Sequence, residues 1–178
     1  MVEVMVSLVI AAIGLLGLAK LQSLVISSTG LSASRSLAAI EASSLAAAMH
    51  ANPGYWAAGV APTAPITVTV TGPATSATWT IASSDGTLST PVTTTCSTPG
   101  TSSCAPNVMA AFDLQQWAQA LGAVLPSSFS TITCTTLDTS PVTCAIQIQW
   151  TESAQASNGH QTNLSGLQTP TYVLYTQP

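Results

Sequence analysis

Met1-Val-Glu3-Val-Met-Val-Ser-Leu-Val-Ile-Ala-Ala-Ile-Gly-Leu-Leu-Gly-Leu-Ala19-Lys20 is the stretch that decides the fold. A carboxylate at position 3 is followed by sixteen uncharged residues, Val4 to Ala19, and then by Lys20. An acidic side chain inside a bilayer is expensive, about 2.5–3.5 kcal/mol for Asp at a helix centre on translocon scales, and Glu is similarly disfavoured. The nearest cation in the chain, Lys20, lies roughly 25 Å away along a helix at about 1.5 Å per residue. The expected partner of Glu3 is therefore on another molecule, and the helix is expected to be an assembly element. A secretory signal peptide has a basic start and a small-residue cleavage site. Here the start is acidic and the helical pattern continues past Lys20. Adding Met1, Val2, Leu21, Leu24, Val25 and Ile26 brings the run to spanning length, with Lys20 able to snorkel. Gly14 and Gly17 are three apart, not the four of the small-residue dimer motif, and read as local flexibility.

No proline occurs before Pro53. Leu21, Leu24, Val25, Leu31, Ala38, Leu45 and Met49 recur at spacings of three, four and seven, a one-sided helical stripe. Arg35 to His50 is rich in Ala and Leu, good helix formers. Asn52-Pro53-Gly54 is a strong stop. Such a helix is longer than any bilayer needs. Its first half, residues 1–27, is expected to span a membrane or lie in a bundle of other helices. Its second half is expected to belong to a globular domain, residues 28–178.

Only 4% of the 178 residues are charged and the net charge is −4, against about 25% charged in ordinary soluble domains. Surface polarity must come from Ser, Thr, Gln and Asn. No basic patch exists, so nucleic acid is not an expected partner. The four cysteines form two local pairs around turn-forming segments. Cys96 and Cys104 bracket Ser-Thr-Pro-Gly-Thr-Ser-Ser. Cys134 and Cys144 bracket a turn containing Asp138-Thr-Ser-Pro141. Nearest-neighbour disulfides are expected, one of three possible connectivities. No C-x-x-C is present, and neither His50 nor His160 has ligand spacing to a cysteine, so no metal is expected.

The remainder alternates. Ile66, Val68 and Val70 are interleaved with threonines, and Gly72-Pro73 ends that strand. Trp79 and Ile81 mark a second, closed by Asp85-Gly86. Pro106 suits the first turn of a helix whose apolar face is Ala110, Leu114, Trp117, Ala118, Leu121 and Leu125, with Pro126 as its stop. Ile132 and Cys134 lead through the turn to Val142, Cys144, Ile146, Ile148 and Trp150, a half-buried antiparallel hairpin. Ser153 to Pro170 reads as loop, and Tyr172 to Tyr175 as a last short strand. The fold class is α+β: a long amino-terminal helix packed on an antiparallel sheet, with one extra helix in the globular domain.

The run from Glu3 to Gln22 resembles the amino terminus of type IV pilins, and Ile13-Gly-Leu-Leu-Gly-Leu-Ala19 resembles the minor pilin PilV branch. A second block is similar to the carboxy-terminal half of that family: Cys104-Ala-Pro, Ala110-Ala-Phe-Asp-Leu-Gln-Gln-Trp117, Leu125-Pro126, Cys134 and Ile146-Gln-Ile-Gln-Trp150. His50-Ala-Asn-Pro53 resembles the family's end of the first helix. The resemblance implies a type IV pilin-like fold and a minor pilin. Such a subunit waits in the inner membrane with its domain periplasmic, primes pilus assembly, and sits in or near the tip. Its partners would be other minor pilins, the major pilin, a tip adhesin, the inner-membrane assembly machinery and, before assembly, membrane lipid. In that family the glutamate is the fifth residue of a chain processed by prepilin peptidase and methylated at its terminus. Here it is third, so two more mature residues and a glycine cleavage site are expected upstream. The alternatives are a pseudopilin of a type II secretion system and a membrane-anchored extracytoplasmic binding domain.

Other candidate sites are weak. His50 and His160 read as surface or capping residues, Asp113 as a solvated or backbone-bonded carboxylate, and Trp117 and Trp150 as core. Asn163-Leu-Ser165 fits a glycosylation sequon that chance produces often. No catalytic spacing, phosphate loop or nucleotide fingerprint is present, so neither catalysis nor a cofactor is expected.

Overall fold

The computed structural model of the chain describes residues 2–93, 96, 104–135, 141–153 and 167–178. The Asp138 turn, His160 and the Asn163 sequon fall outside them. Helix α1 runs from Val2 to Ala51 without interruption. The chain divides into two compact units, Met1–Arg35 and Ser36–Pro178.

The Ser36–Pro178 unit holds the core. Strands β1 (Ile66–Thr71), β2 (Thr78–Ala82), β3 (Phe129–Cys134), β4 (Cys144–Gln149) and β7 (Thr171–Thr176) form one sheet in the order β2-β1-β3-β4-β7, and every neighbouring pair is antiparallel. Two-residue strands β5 (Glu152–Ser153) and β6 (Leu167–Gln168) pair separately, so the ends of the expected loop are in fact a short ladder. The alternation is used as read: Ile66, Val68, Val70, Ile132, Cys134, Cys144, Ile146 and Ile148 all face the core. The β1–β2 connection turns at Gly72, whose φ of 90° suits glycine and whose added Cβ would meet the Ser76 carbonyl at 3.1 Å.

Two helices cover this face. The last turns of α1 bury Ala38, Ala42, Leu45, Ala46 and Met49, the spacing of one helical stripe. Ala42 and Ala46 belong to that stripe although alanine alone does not announce it. Helix α3 (Pro106–Val124) has Pro at its first position and buries Ala110, Leu114, Trp117, Ala118 and Leu121. It stops before Leu125, itself buried, and Ser127 then takes a left-handed φ of 56°. A single turn, α2 (Gly86–Ser89), is capped by the Asp85 carboxylate, which accepts the Thr87 N–H. This turn goes beyond the sequence expectation. So does the burial of Tyr55 and Trp56 just after Pro53, packed edge to face at 5.0 Å. The result is an α+β arrangement of pilin-like description: a long amino-terminal helix, an antiparallel sheet, and an extra helix in the domain.

Candidate functional site

The first candidate is the helix segment Val2–Gln22, which is long and apolar enough to cross a membrane and has none of its surface covered within the structure. The physical reason is composition on every side. Val4, Met5, Val6, Leu8, Val9, Ile10, Ile13, Leu15, Leu16 and Leu18 are all exposed, and a helix apolar all round belongs in lipid or among other helices. A shallow groove lies between Met5, Val6, Val9 and Ile10, a surface on which a neighbouring helix could seat side chains. Neither Gly14 nor Gly17 has an atom near the position of a Cβ.

Glu3 sits in the first turn of α1, where the helix dipole favours a negative charge. Its backbone carbonyl accepts the Ser7 hydroxyl at 2.8 Å, and that hydroxyl also reaches the Val4 carbonyl at 3.1 Å. Ser7 thus hides its polarity within the helix, as an apolar medium requires. Among the described residues nothing pairs with the Glu3 carboxylate.

In the Ser36–Pro178 unit, polar contacts fasten the elements to one another. The Trp117 indole donates to the Glu41 carbonyl at 2.9 Å. The Asn52 amide donates to the Pro106 carbonyl at 2.7 Å. His50 Nε2 and the Thr176 hydroxyl are 3.0 Å apart, so that histidine ties the end of α1 to the last strand. Gln115, buried on α3, accepts the Val92 N–H at 3.0 Å and donates to the Thr90 carbonyl at 2.7 Å. The Trp150 indole donates to the buried Glu152 carboxylate at 2.9 Å. The tryptophans at 117 and 150 are core residues.

Both expected cysteine pairs are bonded. Cys96–Cys104 has a Cα separation of 5.8 Å and Cys134–Cys144 one of 4.0 Å. The second pair is directly cross-strand, Cys134 facing Cys144 in the β3–β4 register. The Thr135 N–H bonds to the Thr143 carbonyl, so the adjacent cysteines occupy a non-hydrogen-bonded position, where antiparallel strands come closest.

Titratable groups are few. The Tyr55 hydroxyl donates to Asp85 at 2.6 Å. Burial, then that bond and the neighbouring negative charge, pushes the phenol far above its usual range. Burial also pushes the Asp85 carboxyl up, but the hydrogen bonds from Tyr55 and Thr87 outweigh it and hold the group below its ordinary value. Asp113 is half-buried instead of solvated, and burial raises it; burial raises Glu41 as well. Among the described residues, no three of His, Cys, Asp and Glu come together as a metal site would need. No family model, characterised protein or solved structure matches the chain.

Proposed function

We propose that this chain is a minor pilin of a type IV pilus, of the PilV kind. It primes filament assembly from the inner membrane and then sits in or near the pilus tip. Its partners there are other minor pilins, the major pilin and a tip adhesin. The observation that carries the reading is one carboxylate, Glu3, at the head of an exposed apolar helix with no partner among the described residues. On a simple one-span anchor it would merely lie at the membrane surface. In a filament core the charge would meet the terminal amine of a neighbouring subunit, a charge-assisted contact where water is scarce. The resemblance of residues 3–22 and 104–150 to that family supports the same reading. A secretion pseudopilin would share the helix, but α3 and the two disulfides favour a pilus subunit.

The test is Glu3→Ala in the cell that makes the protein. Membrane insertion should persist, because the span becomes more apolar. Incorporation into sheared pili should fall sharply, since breaking a buried ion pair costs about 3–5 kcal/mol. Normal piliation and normal incorporation of the Ala variant, at equal membrane levels, would refute the pairing.

A further inference from the structure

The chain holds one lysine, Lys20, and one arginine, Arg35. Lys20 lies within the apolar segment Val2–Gln22. From Ser36 to Pro178 there is no Lys or Arg, where a stretch of that length and ordinary composition would hold roughly fifteen. Arg35 is exposed. It closes the first compact unit, Met1–Arg35, and Ser36 opens the second. The helix around it is weak. Ser27-Ser-Thr-Gly-Leu-Ser-Ala-Ser-Arg-Ser36 contains five serines, a threonine and a glycine, each a poorer helix former than alanine. The Thr29 hydroxyl donates to the Val25 carbonyl at 2.7 Å and the Ser34 hydroxyl to the Gly30 carbonyl at 3.2 Å, bonds that compete with the helix's own. Thr29, Gly30, Ser32, Ala33, Arg35 and Ser36 are all exposed. The buried stripe of α1 begins only at Ala38.

We propose that the Arg35–Ser36 peptide bond is a release site. An arginine-specific protease, with an acidic pocket for the guanidinium, cuts there and frees residues 36–178 as a folded domain. The step is hydrolysis. The C–N bond breaks, water gives its OH to the Arg35 acyl carbon, and its other hydrogen goes to the Ser36 nitrogen. A protease takes its substrate extended over several residues, and cutting of a folded chain follows the population of the locally open form. A helical segment with poor propensity and little burial opens at low cost. The products fit this cut. Ala38, Ala42, Leu45, Ala46 and Met49 all lie beyond it, as does the Trp117 bond to the Glu41 carbonyl. Serine is a preferred N-cap, so Ser36 suits the start of the shortened helix. The freed domain offers the same protease no second Arg or Lys, so one cut is final. It leaves behind Glu3 and the whole apolar segment. Release needs only a domain joined to an apolar helix, whatever that helix assembles with.

The experiment uses the full chain in detergent micelles, with trypsin as the probe. One early cut after Arg35 is expected. The soluble fragment should have the mass of residues 36–178, keep the tryptophan fluorescence of the intact chain and resist longer digestion. Arg35→Gln should abolish its release. Replacing Ser27, Ser28, Thr29, Gly30, Ser32 and Ser34 by Ala, with Arg35 kept, should slow the cut at least about tenfold, because the open form becomes rarer. In cells that make the protein, a fragment starting at Ser36 should appear outside the membrane fraction, and Arg35→Gln should remove it. Four results would each overturn the release site: an Arg35–Ser36 bond that survives where a urea-unfolded sample is cut, a fragment that is unfolded, an unchanged rate in the Ala-rich variant, or wild-type cells with no chain starting at Ser36. None of them bears on the Glu3 experiment.

Discussion

Replacing Gln115 tests how the segment before the first disulfide is held. Its amide makes two good hydrogen bonds to backbone, one from Val92 N–H and one to the Thr90 carbonyl, and both anchor residues 90–92 on α3. Gln115→Leu keeps the volume and removes both. Each backbone group left without a partner costs about 1–3 kcal/mol when buried. These are partly buried, so water recovers some of it, and a total of about 2–4 kcal/mol is expected. For a unit of this size that corresponds to a fall in Tm of roughly 5–15 °C. Gln115→Glu separates the bonds from the packing. Its carboxylate can still accept from Val92 but cannot donate to Thr90, whose carbonyl it would repel. Once protonated, the acid can donate, so its deficit should shrink between pH 7 and pH 4. The assay is thermal unfolding of the full chain in micelles followed by tryptophan fluorescence. All four tryptophans, Trp56, Trp79, Trp117 and Trp150, lie in the Ser36–Pro178 unit. A change in Tm below about 2 °C for Gln115→Leu, or a deficit of Gln115→Glu that is flat with pH, would refute the clamp.

Two further outcomes follow from the domain. Replacing Cys134 and Cys144 together by Ala should cost about 2–4 kcal/mol, from the lost ten-residue loop closure and the emptied core volume; denaturant titration checks it, and a loss smaller than that from the Cys96 and Cys104 pair would contradict it. The carboxyls should respond to pH in opposite senses. Asp113 is raised in the fold, so its ionisation destabilises, and that penalty appears as pH rises through its folded value; Asp113→Asn should stabilise at pH 7 and do little at pH 3. Asp85 is lowered, so its contribution exists above its unfolded value and is lost as pH falls through the folded one; Asp85→Asn should destabilise at pH 7, with the effect fading in strong acid. Melting curves of both variants from pH 3 to 7 decide the signs.

The sheet strands are legible wherever one face is apolar and the other Thr or Gln, because the period of two survives in the residue types themselves. Helix α3 is legible for the same reason at a period of 3.6, with Pro106 and Pro126 as its bounds. The features that escape such reading have tertiary causes. Ala42 and Ala46 look neutral in sequence and are buried because small side chains let α1 lie close on its neighbours. Tyr55 and Trp56 follow Pro53 in a segment without periodicity, and only the burial of the turn makes them core. Gln115 is polar on the buried face of α3, and its reason is two backbone groups more than twenty residues away. Asp113 is adjacent to Leu114 on the helix, and half-burial there depends on what packs beside α3. Glu3 is visible for a different reason: a lone carboxylate at the head of an apolar run stands out in the residue types themselves.

The placement of β7 has a bearing on the order in which the molecule matures. The last strand closes the sheet against β4, and its Thr176 hydroxyl reaches His50 across 126 residues of sequence. Contacts of such separation form late, because loop entropy is lost before they repay it. In chain order α1 precedes β7, so the sheet cannot be completed until β7 has been made. The β3–β4 hairpin, with its cross-strand disulfide, needs only local sequence and can close earlier. Folding of the domain is thus expected to be deferred until β7 is available, with an oxidised hairpin waiting for its final strand.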